Sequence, residues 1–254
     1  RQFSDLDILI HAKDFHATYR ILEAAGFRPG FPLDPKIEHW LLRSETEHSF
    51  FYQNDMLDVH WAIAEKGVQY PIKEDQPWQN LQTIELHEKR LHSLSPQNLL
   101  LLLCIHGAKH MWGRLIWVAD VAHFVKTYPE INWGDSLEHA KKHGFYRIVC
   151  LGLLTAEQIG GVQLPLIIRK CVRAEPIVEQ LAKQALAFQL DETISSEGIL
   201  AKYYLRSRER YRDRAYNVLD QTFIPKQAEW ITISMPAIFY PIYFLLRPLR
   251  LLLP

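Results

Sequence analysis

Three aspartates carry the chemistry this sequence advertises. Asp5 and Asp7 lie in the opening run "RQFSDLDILI", and Asp58 lies in "DMLDVHWAI". Side chains alternate along a strand, so Asp5 and Asp7 leave one face while Leu6 and Ile8 leave the other. Two carboxylates that close repel and raise each other's pKa unless a positive charge neutralises them. A magnesium ion does so directly, because it prefers oxygen ligands. A lone DxD pair also occurs on solvated strands and turns. Here the aliphatic run Ile8, Leu9 and Ile10 follows it, and a third carboxylate stands in a second apolar strand. If those strands are neighbours, the three aspartates form a cluster of the kind that holds two metals and aligns a nucleoside triphosphate for in-line phosphoryl transfer. His60 shares the face of Asp58 and is a candidate substrate contact or a solvated histidine. Trp61 points the other way, into a core.

A second group lies further on. His106 and His110 are spaced i, i+4 and share a helical stripe with Leu99 and Leu103. The residue after His106 is Gly107, so the metalloprotease pattern HExxH is absent. The expected reading is a buried hydrogen-bonded network of these histidines with Asp120, lining an acceptor pocket without zinc.

The elements that must position these residues follow from the patterning. The chain has 254 residues, 48% of them hydrophobic, and its formal charge sums to zero. This is enough to bury a sizeable core, and no basic excess points to a duplex-binding surface. Composition shifts near Ser95. Short runs rich in β-branched and aromatic residues precede it and long apolar helical patterns follow. The expected fold class is α+β, with a mixed-sheet domain over residues 1–94 and a mostly helical domain over 95–254. Strands are expected at 3–10, 37–43, 47–53 and 56–63, with "RSETE" and "QND" as hairpin turns. A helix from Asp14 to about Ala25 is stopped by Gly26, and "TIELHEKRLHSL" holds one more strand. Ser95 and Pro96 cap a helix made apolar all round by Leu99 to Leu103, expected to be central. Further helices are expected near 114–127, 134–143, 145–160, 165–189 and 194–213.

Taken together, "RQFSDLDILI", the helix ending "LEAAGF", "LDVHWAI" and "LSPQNLLLLLCIHGAKHMWGRLIWVADVAHFV" resemble the bacterial uncharacterised nucleotidyltransferase family of the polymerase β-like superfamily. The resemblance implies a nucleotidyltransferase palm followed by a helical domain. It also implies that Asp5 and Asp7 are the first metal-binding pair and that Asp58 is the third carboxylate, with two magnesium ions as cofactor. The reaction it implies moves a nucleoside monophosphate from an NTP to an unknown acceptor and releases pyrophosphate. The alternative is a non-catalytic protein that keeps the fold and binds nucleotide or a partner. The superfamily places a Gly-Ser or Gly-Gly turn shortly before the carboxylate pair, and nothing precedes Arg1 here. The chain opens inside a strand pattern without Met, so an upstream segment is expected. Arg1 would contact phosphate or be a solvated charge.

Cys104, Cys150 and Cys171 lie far apart in helix-like segments and read as buried free thiols, which fits a reducing, cytoplasmic compartment. No signal peptide is visible. "YYLRSRERYRDRAY" interleaves arginines with aromatics, as RNA binders do, but the preferred reading is a solvated helix face with Tyr204, Leu205 and Tyr211 packed beneath. Nucleic acid is therefore a possible partner but not the favoured one. The tail "MPAIFYPIYFLLRPLRLLLP" is broken by Pro236, Pro241 and Pro248 and so is not expected to span a bilayer. It is expected either to pack partly on the helical domain and leave an apolar surface for a partner or for peripheral membrane contact, or to form a well-buried C-terminal helix.

Overall fold

The computed structural model describes residues 5–33, 35–63, 77–191, 197–225 and 241–251. Two compact units result, one of Arg1–Gln69 with Ala215–Pro254 and the other of Tyr70–Arg214.

The first unit is built on a four-stranded mixed sheet. Strand β1 (Asp5–Leu9) leads through a short 3-10 turn to helix α1 (Phe15–Ala24), then β2 (Arg28–Pro29), helix α2 (Pro35–Ser44), β3 (Glu47–Tyr52) and β4 (Asp55–His60). The strand order is β1-β4-β3-β2, with β1 parallel to β4 and the other pairs antiparallel. The β3–β4 hairpin turns at Gln53, which adopts a left-handed φ of 53°. One sheet face is apolar. Leu57 and Val59 of β4 and Phe50 of β3 pack there with Phe15 and Tyr19 of α1, Leu41 of α2 and Trp61. Trp61 is buried as expected, and its indole N–H donates to the Glu45 carbonyl.

Residues 37–43 are helical, not a strand, so "RSETE" joins a helix to a strand and is no hairpin turn. The cause is a 3.6-residue period. Leu41 and Ser44 are buried one turn apart while Arg43 is exposed, and Pro35 begins the helix where its missing N–H is harmless.

The same unit contains the later part of α10 (Tyr211–Phe223) and all of α11 (Tyr243–Arg250); the division between the units falls inside α10. No helix among the described residues is long and apolar enough to cross a membrane.

The described residues of the second unit begin with a hairpin, β5 (Gln82–Leu86) and β6 (Lys89–Ser93), where the sequence pattern suggested a single strand. His87 and Glu88 both take left-handed φ values, 48° and 64°, which is the two-residue turn that matches strand twist. Among the described residues, seven helices follow: α3 (Pro96–Lys109), α4 (Leu115–Thr127), α5 (Trp133–Lys142), α6 (Tyr146–Gln158), α7 (Leu166–Arg173), α8 (Pro176–Leu190) and α9 (Glu197–Ser207). Ser95 Oγ caps α3 by accepting from the Asn98 amide, with Pro96 at the first helical position.

The central helix is α6, not the leucine-rich α3. Every residue from Ile148 to Ala156 is buried, and α6 packs against α3, α4, α5, α7, α8 and α9. On α3, Leu100, Leu101, Cys104, Ile105 and Ala108 face the core, while Leu99, Leu102 and Leu103 are half-buried. All three thiols are free; Cys104 and Cys150 are buried and Cys171 is half-buried.

Two expected helices are each split. Pro176 disfavours helical backbone at Glu175, which separates α7 from α8. Residues 208–210 break the second, separating α9 from α10. The Arg208 carbonyl there accepts from Arg147 Nη1 and from Arg214 Nε and Nη2, which draws it out of any helical ladder. The basic stretch is therefore not one solvated helix face. Arg208 is 1% exposed, lies 3.1 Å from the buried Asp213 carboxylate and stacks 4.1 Å over the Phe145 ring. Tyr211, expected to pack, is 83% exposed.

Candidate functional site

Register decides where the aspartates meet. In the β1–β4 pair, Asp5 stands beside Met56, Asp7 beside Asp58 and Leu9 beside His60. Register partners on adjacent strands project from the same sheet face, so Asp5, Asp7, Asp58 and His60 share a face. The β3–β4 register adds Ser49 beside Asp58 and Glu47 beside His60. This face lies opposite the core that holds Phe50, Leu57 and Val59. From Leu57 to His60 apolar and polar residues thus alternate along β4, and the same strand serves both faces.

His60 organises the polar face. Its Nε2 lies 2.8 Å from Asp7 Oδ1 and its Nδ1 lies 3.1 Å from Glu47 Oε2. Burial alone would push the imidazole pKa down. The hydrogen bond to Asp7, with the charges of Glu47, Asp7 and Asp58, outweighs it and raises the pKa above its ordinary value. A cationic ring is therefore favoured among the acids, which is the neutralisation that closely spaced carboxylates require.

Asp58 differs from its neighbour in exposure. The Asp7 side chain is 66% exposed, while Asp58 is 9% exposed and its Oδ1 is buried with no hydrogen-bond partner. A buried carboxylate oxygen left without a donor is costly, and a cation or an incoming proton would satisfy it. The donors on this face are carboxylate oxygens, the type a hard divalent cation selects. Among the described residues, no group of three or more His, Cys, Asp or Glu side chains is gathered as a metal centre needs. The Asp7 carboxylate is instead turned to His60.

Arg1 lies outside the described residues. His106, His110 and Asp120 belong to a different place, the surface of the helical unit. His106 is exposed, and His110 and Asp120 are half-buried, so these residues are less buried than the sequence reading expected. The cause is the stripe of α3 that carries both histidines, which faces away from α6 while Cys104, Ile105 and Ala108 face the core. The rings cluster there: His110 stacks on Trp117 at 5.0 Å, His106 meets the Trp117 edge at 5.3 Å, and the two imidazoles are 5.1 Å apart. The Arg114 guanidinium lies 5.7 Å from the Trp117 ring centre.

Glu47 and Ser49 were missed by reading the sequence. The signal was present: once the turn is centred on Gln53 and Asn54, pairing Tyr52 with Asp55 places Glu47 opposite His60.

Compared with known proteins, residues 1–161 match the family model described as uncharacterised nucleotidyltransferase. No curated protein and no solved structure matches the chain.

Proposed function

The chain belongs to this nucleotidyltransferase family, and on that premise we propose that it moves a nucleoside monophosphate from an NTP to an acceptor nucleophile with magnesium held by Asp5, Asp7 and Asp58. The observation that supports this reading is the register of Asp7 with Asp58 on one sheet face, with Asp58 Oδ1 buried and unsatisfied. When bound, two magnesium ions would neutralise the carboxylates and the triphosphate and align the attacking and leaving oxygens.

The chain's own residues do the rest. The acceptor nucleophile attacks the α-phosphorus. The bond from that phosphorus to the bridging oxygen breaks, and pyrophosphate carries the electron pair away. Asp58, the least solvated of the three carboxylates, takes the acceptor proton. His60 holds the Asp7 carboxylate at a fixed position, and Glu47 fixes the ring through its other nitrogen. Both flank the face on which substrate would lie, and His60 is the nearest candidate for a substrate contact.

The test combines the purified full chain, α-labelled NTPs, magnesium and a cell metabolite extract. The expected result is magnesium-dependent pyrophosphate release, with label moved to an acceptor in the extract and both lost in Asp58→Asn. No release with any NTP, together with nucleotide binding equal in wild type and Asp58→Asn, would overturn the reading in favour of a binding protein that keeps the fold.

A further inference from the structure

The face that carries the carboxylates continues past β4. The strand registers set up a row across the sheet: Asp5 of β1, Met56 of β4, Phe51 of β3 and Arg28 of β2. Their side chains leave on the same face as Asp7 and Asp58. Phe51 is 36% exposed there, Met56 is half-buried and Arg28 is exposed. Among the described residues, the Arg28 guanidinium has no ion pair or hydrogen bond and the Phe51 ring has no ring partner. Gly30 follows β2, and its amide donates to the Ser49 carbonyl at 2.8 Å. A Cβ on Gly30 would lie 3.4 Å from Phe51 Cε2 and 3.2 Å from the Ser49 carbonyl oxygen. Glycine therefore leaves the flank of the ring open and lets a ligand come close to the backbone.

From this row we infer that Phe51, with Met56 beside it, is the platform on which the base of the NTP stacks, and that Arg28 reads the edge of that base. The inference rests on the proposed role of the carboxylates, which fixes where the triphosphate lies. Position argues for the base. Phe51 is the diagonal neighbour of Asp58 across the β3–β4 pair, a separation of about 7 Å. One ribose bridges such a gap between an α-phosphate held over Asp58 and its base. Arg28 is on the strand two further from Asp58, about 10 Å away in the hydrogen-bonding direction, so it stands beyond the ring and not over the carboxylates. Chemistry argues the same way. An aromatic face stacks on a base, and a neighbouring thioether adapts to the ring. A guanidinium has donors only, so it suits a base edge made of acceptors, as O6 and N7 of guanine are.

Calorimetric titration of the full chain in magnesium tests this by binding alone. The probes are α,β-methylene GTP and α,β-methylene ATP, in which carbon replaces the bridging oxygen, and tripolyphosphate, which has no base. Phe51→Ala should weaken both nucleotides about tenfold or more and leave tripolyphosphate binding unchanged. Phe51→Tyr keeps a ring and should bind as wild type does. The GTP analogue should bind more tightly than the ATP analogue, and Arg28→Ala should erase that difference. Both side chains are exposed, and thermal melts confirm that the variants fold. Undiminished nucleotide binding in Phe51→Ala would overturn the inference and move the ring to the acceptor's side, leaving the role of the carboxylates intact. Tripolyphosphate binding lost in Arg28→Ala would put the guanidinium on phosphate and overturn its role at the base. No binding of either analogue by wild type would overturn the inference outright. Binding that depends on Phe51, with no pyrophosphate release from any NTP, would sink the transfer reading and keep this one.

Discussion

Asp7 on β1 and Asp58 on β4 are register partners of a parallel strand pair, and their side chains leave the sheet on one face. They differ in what surrounds them. Asp7 is solvated and bonded to His60, while Asp58 is buried with Oδ1 unsatisfied. Replacing either by Asn keeps size and removes a charge from the proposed ion shell. Loss of one such contact costs on the order of 3 kcal/mol in the transition state, so Asp7→Asn and Asp58→Asn should each lower pyrophosphate release about a hundredfold or more. Their stabilities should part company. Asp58→Asn removes a buried charge that has no donor at Oδ1 and should raise ion-free stability by roughly 1 kcal/mol or more. Asp7→Asn weakens the bond to His60 and should not. Melts without divalent ions, paired with the release assay, check both. Full activity in Asp58→Asn, or a fall in its ion-free stability, would contradict this account.

How much of this was legible in the sequence depended on period. The common face of Asp5 and Asp7 and the opposite direction of Trp61 from Asp58 followed from alternation alone, whereas the meeting of Asp7 with Asp58 depends on the β1–β4 pairing and register, which no local pattern encodes. The mixed sheet and the helical remainder followed from the shift near Ser95. Residues 37–43 were misread because a short segment with Trp40, Leu41 and Leu42 fits a strand or a helix, and only packing decides between them. The histidine stripe of α3 was misplaced because five leucines hide which face meets α6. The break at Arg208 depends on Arg147, Asp213 and Phe145, partners distant in the chain or set by the break itself, and no local pattern encodes it.

Trp112 is fully buried, and Gly107 makes room for it. A Cβ at Gly107 would lie 2.3 Å from Trp112 Cζ3, and one at Gly152 would lie 3.0 Å from Trp112 Cη2. The indole is thus flanked by two glycines and has little freedom to shift. Alanine gains up to about 1 kcal/mol over glycine in an exposed helix. Here overpacking of about 1–3 kcal/mol should win, so Gly107→Ala lowers stability despite its better propensity. Trp112→Ala should cost about 3–5 kcal/mol through the cavity it leaves. Urea denaturation of the two variants measures both, and a stabilised Gly107→Ala protein would show that the ring has room after all.

Arg208 and Asp213 form a buried pair, 1% and 0% exposed, at the break between α9 and α10. Breaking such a pair strands a charge in the interior. Asp213→Ala should therefore cost about 3–5 kcal/mol, well above a surface ion pair such as Lys183–Glu179 at about 0–1 kcal/mol. An apolar replacement of both partners, Arg208→Met with Asp213→Leu, should recover part of the loss, because neither charge is then left alone. A double-mutant cycle by denaturation would reveal the coupling. Additive losses would mean that the pair is screened and contributes little.

His48 makes the first unit sensitive to acid. Its ring is 2% exposed in a cage of Phe15, Tyr19, Phe31 and Phe50, with the Phe31 ring 4.3 Å away. Burial in that cage pushes its pKa down to about 4, from 6.5. Above pH 6.5 the ring is neutral whether folded or unfolded, and it contributes no pH dependence. As pH falls from 6.5 towards 4, the unfolded chain takes up the proton and the folded chain does not, so stability is lost across that window. The loss by pH 5 is about 2 kcal/mol at 1.36 kcal/mol per unit. His48→Leu removes the titrating group and keeps an apolar side chain against the aromatics. It should leave stability near neutral pH within about 1.5 kcal/mol of wild type. Other histidines with lowered pKa, His139 and His143, remain in both proteins, so the difference between the two curves isolates His48. Urea midpoints measured from pH 7 to pH 5 should fall more steeply for wild type than for His48→Leu. Parallel curves would mean that the cage opens to admit the charged ring without unfolding.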